Sequence, residues 1–106
     1  MVEFVNKINL SYASSCLSGA AFKVLVALRE IAMHKKIQCI KKNQCFDGWI
    51  SVSYESLRQK SGVSHIRRVI QEFESNNEIV EVLKCSGVLS KYKLNDDLLE
   101  VVDNEF

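Results

Sequence analysis

Two adjacent arginines, Arg67 and Arg68, sit inside the stretch SYESLRQKSGVSHIRRVIQEFESN, residues 53–76. A guanidinium carries five N–H donors in a planar fork and stays charged at physiological pH. Such a group takes a phosphate, a carboxylate or the two-acceptor edge of a guanine through paired hydrogen bonds. Ser64, His65 and Gln71 surround the pair in sequence and add hydroxyl, imidazole and amide groups. Lys84, Lys91 and Lys93 follow downstream as point charges. Together these eight residues suit recognition of an anionic surface. The competing reading of the same residues is an ordinary solvated, charged face.

The local pattern says how the eight are held. Ser53 is a helix N-cap, and residues 54–61 make two turns around Leu57. Gly62 stops that helix, because glycine takes the left-handed conformation without steric cost. Ser64 is expected to cap a second helix over residues 65–76, closed by Asn76 and Asn77. Ile66, Val69, Ile70 and Phe73 recur at i, i+3, i+4 and i+7, a single core-facing stripe. At about 100° per residue, Ser64, Arg67, Arg68 and Gln71 fall on the opposite side. Residues 79–85 then read as a strand, Ser86 and Gly87 as a turn, and residues 89–94 as the returning strand. Lys91 and Lys93 share one face of the second strand, whereas Ser90, Tyr92 and Leu94 share the other. Tyr92 reads as packing. Lys91 and Lys93 have a second reading, as charges that protect a sheet edge from pairing.

Upstream, Ser18 caps a helix in which Ala21, Val24, Leu25, Leu28 and Ala32 recur at helical spacing. That helix is expected to end near Lys36, with Lys35 and Lys36 at the negative end of its dipole. Phe22, Val26 and Met33 form a second apolar stripe, roughly 120° away. Two coverings are open for it: a terminal segment of the same chain or a second copy. Residues 37–47, with Lys41 and Lys42, read as a loop or ragged hairpin. Residues 49–53 alternate as a short strand, with Trp49 expected as a core plug under the ribbon. Residues 96–106 are expected to form an acidic amphipathic helix in which Leu98, Leu99, Val102 and Phe106 cluster.

Composition narrows the class. At 106 residues and 47% hydrophobic content, one domain with its own core is expected. The net charge of +1 hides an uneven spread: +4 over residues 1–53, +2 over 54–95 and −5 over 96–106. A basic body of that kind is compatible with nucleic acid. Lys23, Arg29 and Glu30 interrupt the longest apolar region, residues 20–33, so no membrane association is expected. With no secretory leader pattern, a cytoplasmic location and reduced cysteines follow. His34, Cys39, Cys45 and Cys85 are the one conceivable zinc set, but no Cys-x-x-Cys pair occurs. No cofactor and no metal are expected. Without a phosphate loop or nucleophile motif, and with two histidines only, the chain does not read as an enzyme.

The order helix, strand, helix, turn, helix, two-stranded ribbon is that of a winged helix-turn-helix. The sequence resembles the winged-helix domains of plasmid and phage DNA-binding proteins over residues 17–94. The carriers are LSGAAFKVLVALRE, GWISVSYESLRQKSGVSHIRRVIQEFE and IVEVLKCSGVLSKYKL. In layout it is similar to replication initiators and to TubR-type centromere-binding adaptors. The resemblance departs at Arg58, where a small residue is usual, at Ser61, where an apolar one is usual, and in the short interval from Ser64 to Ile66. It implies an α+β winged helix, mainly helical, spanning residues 1–106 as one domain. Its helix-turn-helix would be 53–76, its wing 79–94 and its C-terminal helix 96–106. It further implies double-stranded DNA as partner, a homodimer, and a role in partition or transcription regulation, with a partner protein of a plasmid or phage system as a further candidate. The DNA-binding residues would be Ser64, His65, Arg67, Arg68, Gln71, Lys84, Lys91 and Lys93. A protein-interaction module or an initiator's DNA-binding domain is the alternative.

Overall fold

The computed structural model describes residues 10–84 and 90–99. Among these, the chain is α+β, with four α-helices and one three-stranded antiparallel sheet. The spine is α2, Gly19–Lys41, 23 residues and roughly 35 Å long. Ser18 caps it as expected, its Oγ accepting from the Ala21 N–H at 3.2 Å. Ala21, Val24, Leu25, Leu28 and Ala32 are all buried. A short helix α1, Leu10–Cys16, precedes it and buries Ala13.

The first correction concerns the end of α2. The helix does not stop near Lys36 but runs to Lys41, so the loop expected from residue 37 begins only at Lys42. Residues 20–47 contain neither glycine nor proline, so nothing breaks the helix earlier. It stops at Asn43, the one non-glycine residue with positive φ among those described, at 56°. The Gln44 N–H bonds the Cys39 carbonyl at 2.8 Å and the Asn43 N–H bonds Ile40 at 3.1 Å. That pair of bonds satisfies the last turn's carbonyls when a left-handed residue follows the helix.

Three strands follow: β1, Trp49–Val52; β2, Val80–Leu83; and β3, Ser90–Leu94. Their order is β1-β3-β2, so the ribbon is not two-stranded: β1 joins it, and β3 is the central strand. Lys91 and Lys93 therefore do not guard a sheet edge. The register sets Trp49 opposite Lys93, and Ile50 opposite Tyr92. On the other side Val82 faces Tyr92 and Glu81 faces Lys93. Strand side chains alternate faces, so Trp49 shares the outer face with Lys93. It is half-buried there, whereas Ile50 is buried on the inner face. Trp49 is thus not the core plug; Tyr92, 0% exposed, holds that place.

Between β1 and β2 lie α3, Tyr54–Ser61, and α4, Ile66–Glu74. Both pack on α2, and α4 also packs on β2. Ile66, Val69, Ile70 and Phe73 are all buried, as the spacing predicts. After β3, the expected helix over 96–106 is instead a single 3-10 turn, Asp96–Leu99, as far as the described residues reach. Asn95 initiates it, its Oδ1 accepting from the Asp97 N–H at 2.9 Å. Leu98 and Leu99 are buried against the core. The ribbon turn at Ser86 and Gly87, and Val102 and Phe106 of the expected helix, lie outside the described residues. No helix among the described residues is long and apolar enough to cross a membrane.

Candidate nucleic-acid interface

The interval from α3 to α4 is short, and each residue in it is used. Ser53 caps α3 by accepting from the Ser56 N–H at 3.1 Å. Gly62 ends α3 at φ 75°, ψ 8°, its N–H bonding the Arg58 carbonyl at 2.8 Å. Ser61, unusual at its position, bridges the turn. Its hydroxyl donates to the Leu57 carbonyl at 2.6 Å and accepts from the Val63 N–H at 3.1 Å. A side chain that satisfies two backbone groups can replace an apolar one at a half-buried corner. Arg58, the other departure, ties the two helices together. Its Nε donates to the Ser64 carbonyl at 3.3 Å and its Nη1 to Glu55 at 2.9 Å.

Ser64 does not cap α4. The helix begins at Ile66, His65 holds the cap position, and no side chain bonds the helix N-terminus. Ser64 stands one residue too early for its hydroxyl to reach the first-turn amides. A helix's first N–H groups have no partner within it, and the helix dipole makes that end positive. The uncapped end of α4 therefore offers donors to an anion.

Around that end lies an open concavity of about 620 Å³, lined by Tyr54, Arg58, Ser64, His65, Ile66, Arg67, Arg68 and Gln71. Five of the eight sequence-predicted residues, Ser64, His65, Arg67, Arg68 and Gln71, meet there, all solvent-exposed. Arg67 and Arg68 form no ion pair among the described residues. Tyr54 and Arg58 are lining residues that the sequence pattern does not single out. The available signal was Arg58 itself, a base directly after the core residue Leu57, one turn from the end of α3 at Gly62.

The three lysines are placed elsewhere. Lys84 pairs with Glu74 at 3.4 Å, near the far end of α4. Lys93 is half-buried on the outer sheet face, its aliphatic stem about 3.0 Å from where a Cβ on Gly48 would stand. It lines a separate groove with Lys36, Asp47 and Asp96. Lys91 is exposed on that same face, opposite Ser51 and Leu83. None of the three lines the concavity at α4.

The acids of α4 are also accounted for. Glu72 turns away from the concavity to the start of α2. Its Oε2 accepts from the Ser18 N–H at 2.6 Å and its Oε1 from the Ser18 hydroxyl at 2.8 Å. A carboxylate at that end complements the α2 dipole. With Glu74 held by Lys84, neither acid neutralises Arg67 or Arg68 by direct contact.

Among the described residues, no three His, Cys, Asp or Glu side chains gather as a metal set. Cys16, Cys39 and Cys45 are free thiols; Cys85 lies outside the described residues. No family model matches the chain, nor does any curated protein or solved structure.

Proposed function

We propose that this chain is a winged helix-turn-helix protein that binds double-stranded DNA, with α4 as the helix that enters the major groove. The observation that carries this reading is the asymmetry of α4. Arg67, Arg68 and Gln71 surround an uncapped helix N-terminus, while Glu72 and Glu74 are engaged elsewhere. Arginine at that place can take a guanine edge or a phosphate, and the free amides suit a phosphate. Arg58 and Ser64 would add backbone contacts from the flanking turn.

The functional unit in this reading is a homodimer. One nine-residue helix reaches few base pairs, and two copies on adjacent half-sites double the contacts. Val26, 39% exposed on α2, is an apolar group at the surface for that contact. The roles we assign to such a dimer are a plasmid or phage partition adaptor, bound at a centromere, or a small transcriptional repressor. Its compartment would be the cytoplasm, and a partition adaptor would also meet a partner protein.

A second reading, a protein-interaction module, draws on the outer sheet face, where Leu83 is 50% exposed; an initiator's DNA-binding domain would use the same α4 face as the first reading. One experiment separates the two classes. Purified protein is taken through selection on random duplex oligonucleotides, and isotherms are measured for the parent, Arg67→Ala and Arg68→Ala on the selected and a scrambled site. Enrichment of a repeated or palindromic site, with weaker binding by the folded variants, supports the DNA reading. Parent-like binding by both variants removes α4 from the interface, and no enrichment at all favours the protein-contact reading.

A further inference from the structure

The concavity at the start of α4 holds both fixed charge and charge that can change. Arg58, Arg67 and Arg68 bring three guanidinium groups to it, Tyr54 brings a phenol, and His65 is its one imidazole. Imidazole is the side chain whose charge changes between about pH 5 and 8, a range in which arginine stays cationic and tyrosine neutral. His65 is exposed and occupies the cap position of α4, yet its side chain makes no cap hydrogen bond, so the ring is not engaged by the helix end. Among the described residues, no carboxylate lines the concavity. Glu55 of α3 is held by Arg58 at 2.9 Å and by Gln59 at 3.5 Å. On α4 itself, Glu72 turns to Ser18 and Glu74 to Lys84. The other elements packed on α4 are α2 and β2, and neither contributes a lining residue.

Taking α4 as the helix that meets DNA, the reading on which this inference rests, we propose that His65 is a proton-dependent ligand for a DNA phosphate. Its imidazolium neutralises a phosphate in the complex, and duplex binding takes up a proton. The free protein sets no carboxylate against this ring. A duplex seated on α4 sets phosphates there, and an adjacent anion favours the charged form. The sign follows from linkage: a proton held more tightly in the complex than in the free protein raises affinity as pH falls. The protonated ring also adds one phosphate contact, and each such contact releases counterions, so the salt dependence of binding steepens at the same time. The three guanidinium groups keep their charge throughout, so they bind at either pH and supply no such change.

The test is a series of duplex-binding isotherms on the full chain across several salt concentrations, at about pH 5.5 and about pH 8. For the parent, affinity should be higher at the acid end and the salt slope steeper there by roughly 0.9, the share of one phosphate. His65→Gln keeps a neutral polar side chain and should show the same shallower slope at both pH values. His65→Lys carries a fixed charge and should show the steeper slope at both. The other histidine, His34, lines a different concavity with Lys35 and Lys60, so His34→Gln should behave as the parent. A residue that only shaped the turn would change affinity without making the slope depend on pH. Binding that requires Arg67 and Arg68 but has one slope at both pH values overturns the proposal and leaves the DNA reading standing. So does a pH effect that survives in His65→Gln. Absence of duplex binding at either pH overturns both.

Discussion

Two regions carry the five cations that the sequence singles out for DNA, the start of α4 and the sheet with its flank, and they treat them differently. On α4, Arg67 and Arg68 stand at a helix end whose acids face elsewhere. On the sheet, Lys93 lies in register with Glu81 and shares a groove with Asp96, while Lys84 beside the sheet is held by Glu74. A lysine near a carboxylate must leave that partner before it can neutralise a phosphate, and exposed pairs are worth little to stability. The lesson is that a net charge says less about binding than which cations already have partners. Here that separates two arginines and Lys91 from Lys84 and Lys93.

The comparison breaks most severely if α4 is detached from its support. Phe73 is fully buried on the stripe that seats α4. Phe73→Ala should cost about 3–5 kcal/mol in stability, read as the midpoint of urea unfolding. A loss below about 1 kcal/mol would mean that α4 is not a fixed platform. The contrast then sharpens at the arginines. Each of Arg67→Ala and Arg68→Ala should cost about 1–3 kcal/mol in affinity on a selected duplex if it reads a base, with unfolding unchanged. One that reads phosphate instead weakens selected and scrambled sites alike.

Next in size is the acid that leaves the α4 face. Glu72→Ala removes two hydrogen bonds at the start of α2. On a half-exposed site, we expect about 1 kcal/mol of destabilisation. Affinity of the folded protein should not rise, because the carboxylate does not face Arg67 or Arg68. A marked gain in DNA binding would show that Glu72 does oppose the arginines. Smaller still is the split among the lysines. Lys91→Ala should reduce the salt slope of binding by roughly 0.9, the effect of leaving one phosphate without its cation. Lys93→Ala and Lys84→Ala should leave that slope unchanged. Equal effects from all three would merge the two regions into one binding surface.

Much of the platform is legible in the sequence. Ile66, Val69, Ile70 and Phe73 announce a buried face by spacing alone, and Ser18, Ser53 and Gly62 mark helix ends by local chemistry. The departures share a cause: each depends on something other than apolar spacing. The extra length of α2 rests on the absence of any breaker before Asn43, a weaker signal than a polar run such as residues 41–44. Helix α1 is hidden because its serines lack apolar periodicity. Their hydroxyls bond carbonyls three residues back, Ser14 to Ser11 at 2.9 Å and Ser15 to Tyr12 at 2.7 Å. Trp49 takes the outer face because strand register, not hydrophobicity, decides which face a residue occupies. At the site, the spacing brings five residues to one concavity. It says nothing of Glu72, whose partner is 54 residues away.

The smallest effect at neutral pH lies on the inner face of the central strand β3. The Tyr92 hydroxyl is buried without a hydrogen-bond partner among the described residues. Burial pushes its pKa up to about 12; the nearby Ser90 hydroxyl offsets part of that rise, and Tyr54 adds a little to it. An unsatisfied buried hydroxyl costs stability, so Tyr92→Phe should be neutral or stabilising by up to about 1 kcal/mol near pH 7. The sign at high pH follows from linkage. A folded-state pKa raised above the ordinary value of 10.0 favours the protonated ring in the folded protein. Its stabilising share is complete below pH 10.0 and is lost as pH rises towards about 12. The parent should therefore lose stability more steeply than Tyr92→Phe across that window, with the lysines common to both cancelling in the difference. Unfolding midpoints of the two proteins between neutral and strongly alkaline pH check this. Parallel curves would show that the Tyr92 hydroxyl reaches a partner or water in solution.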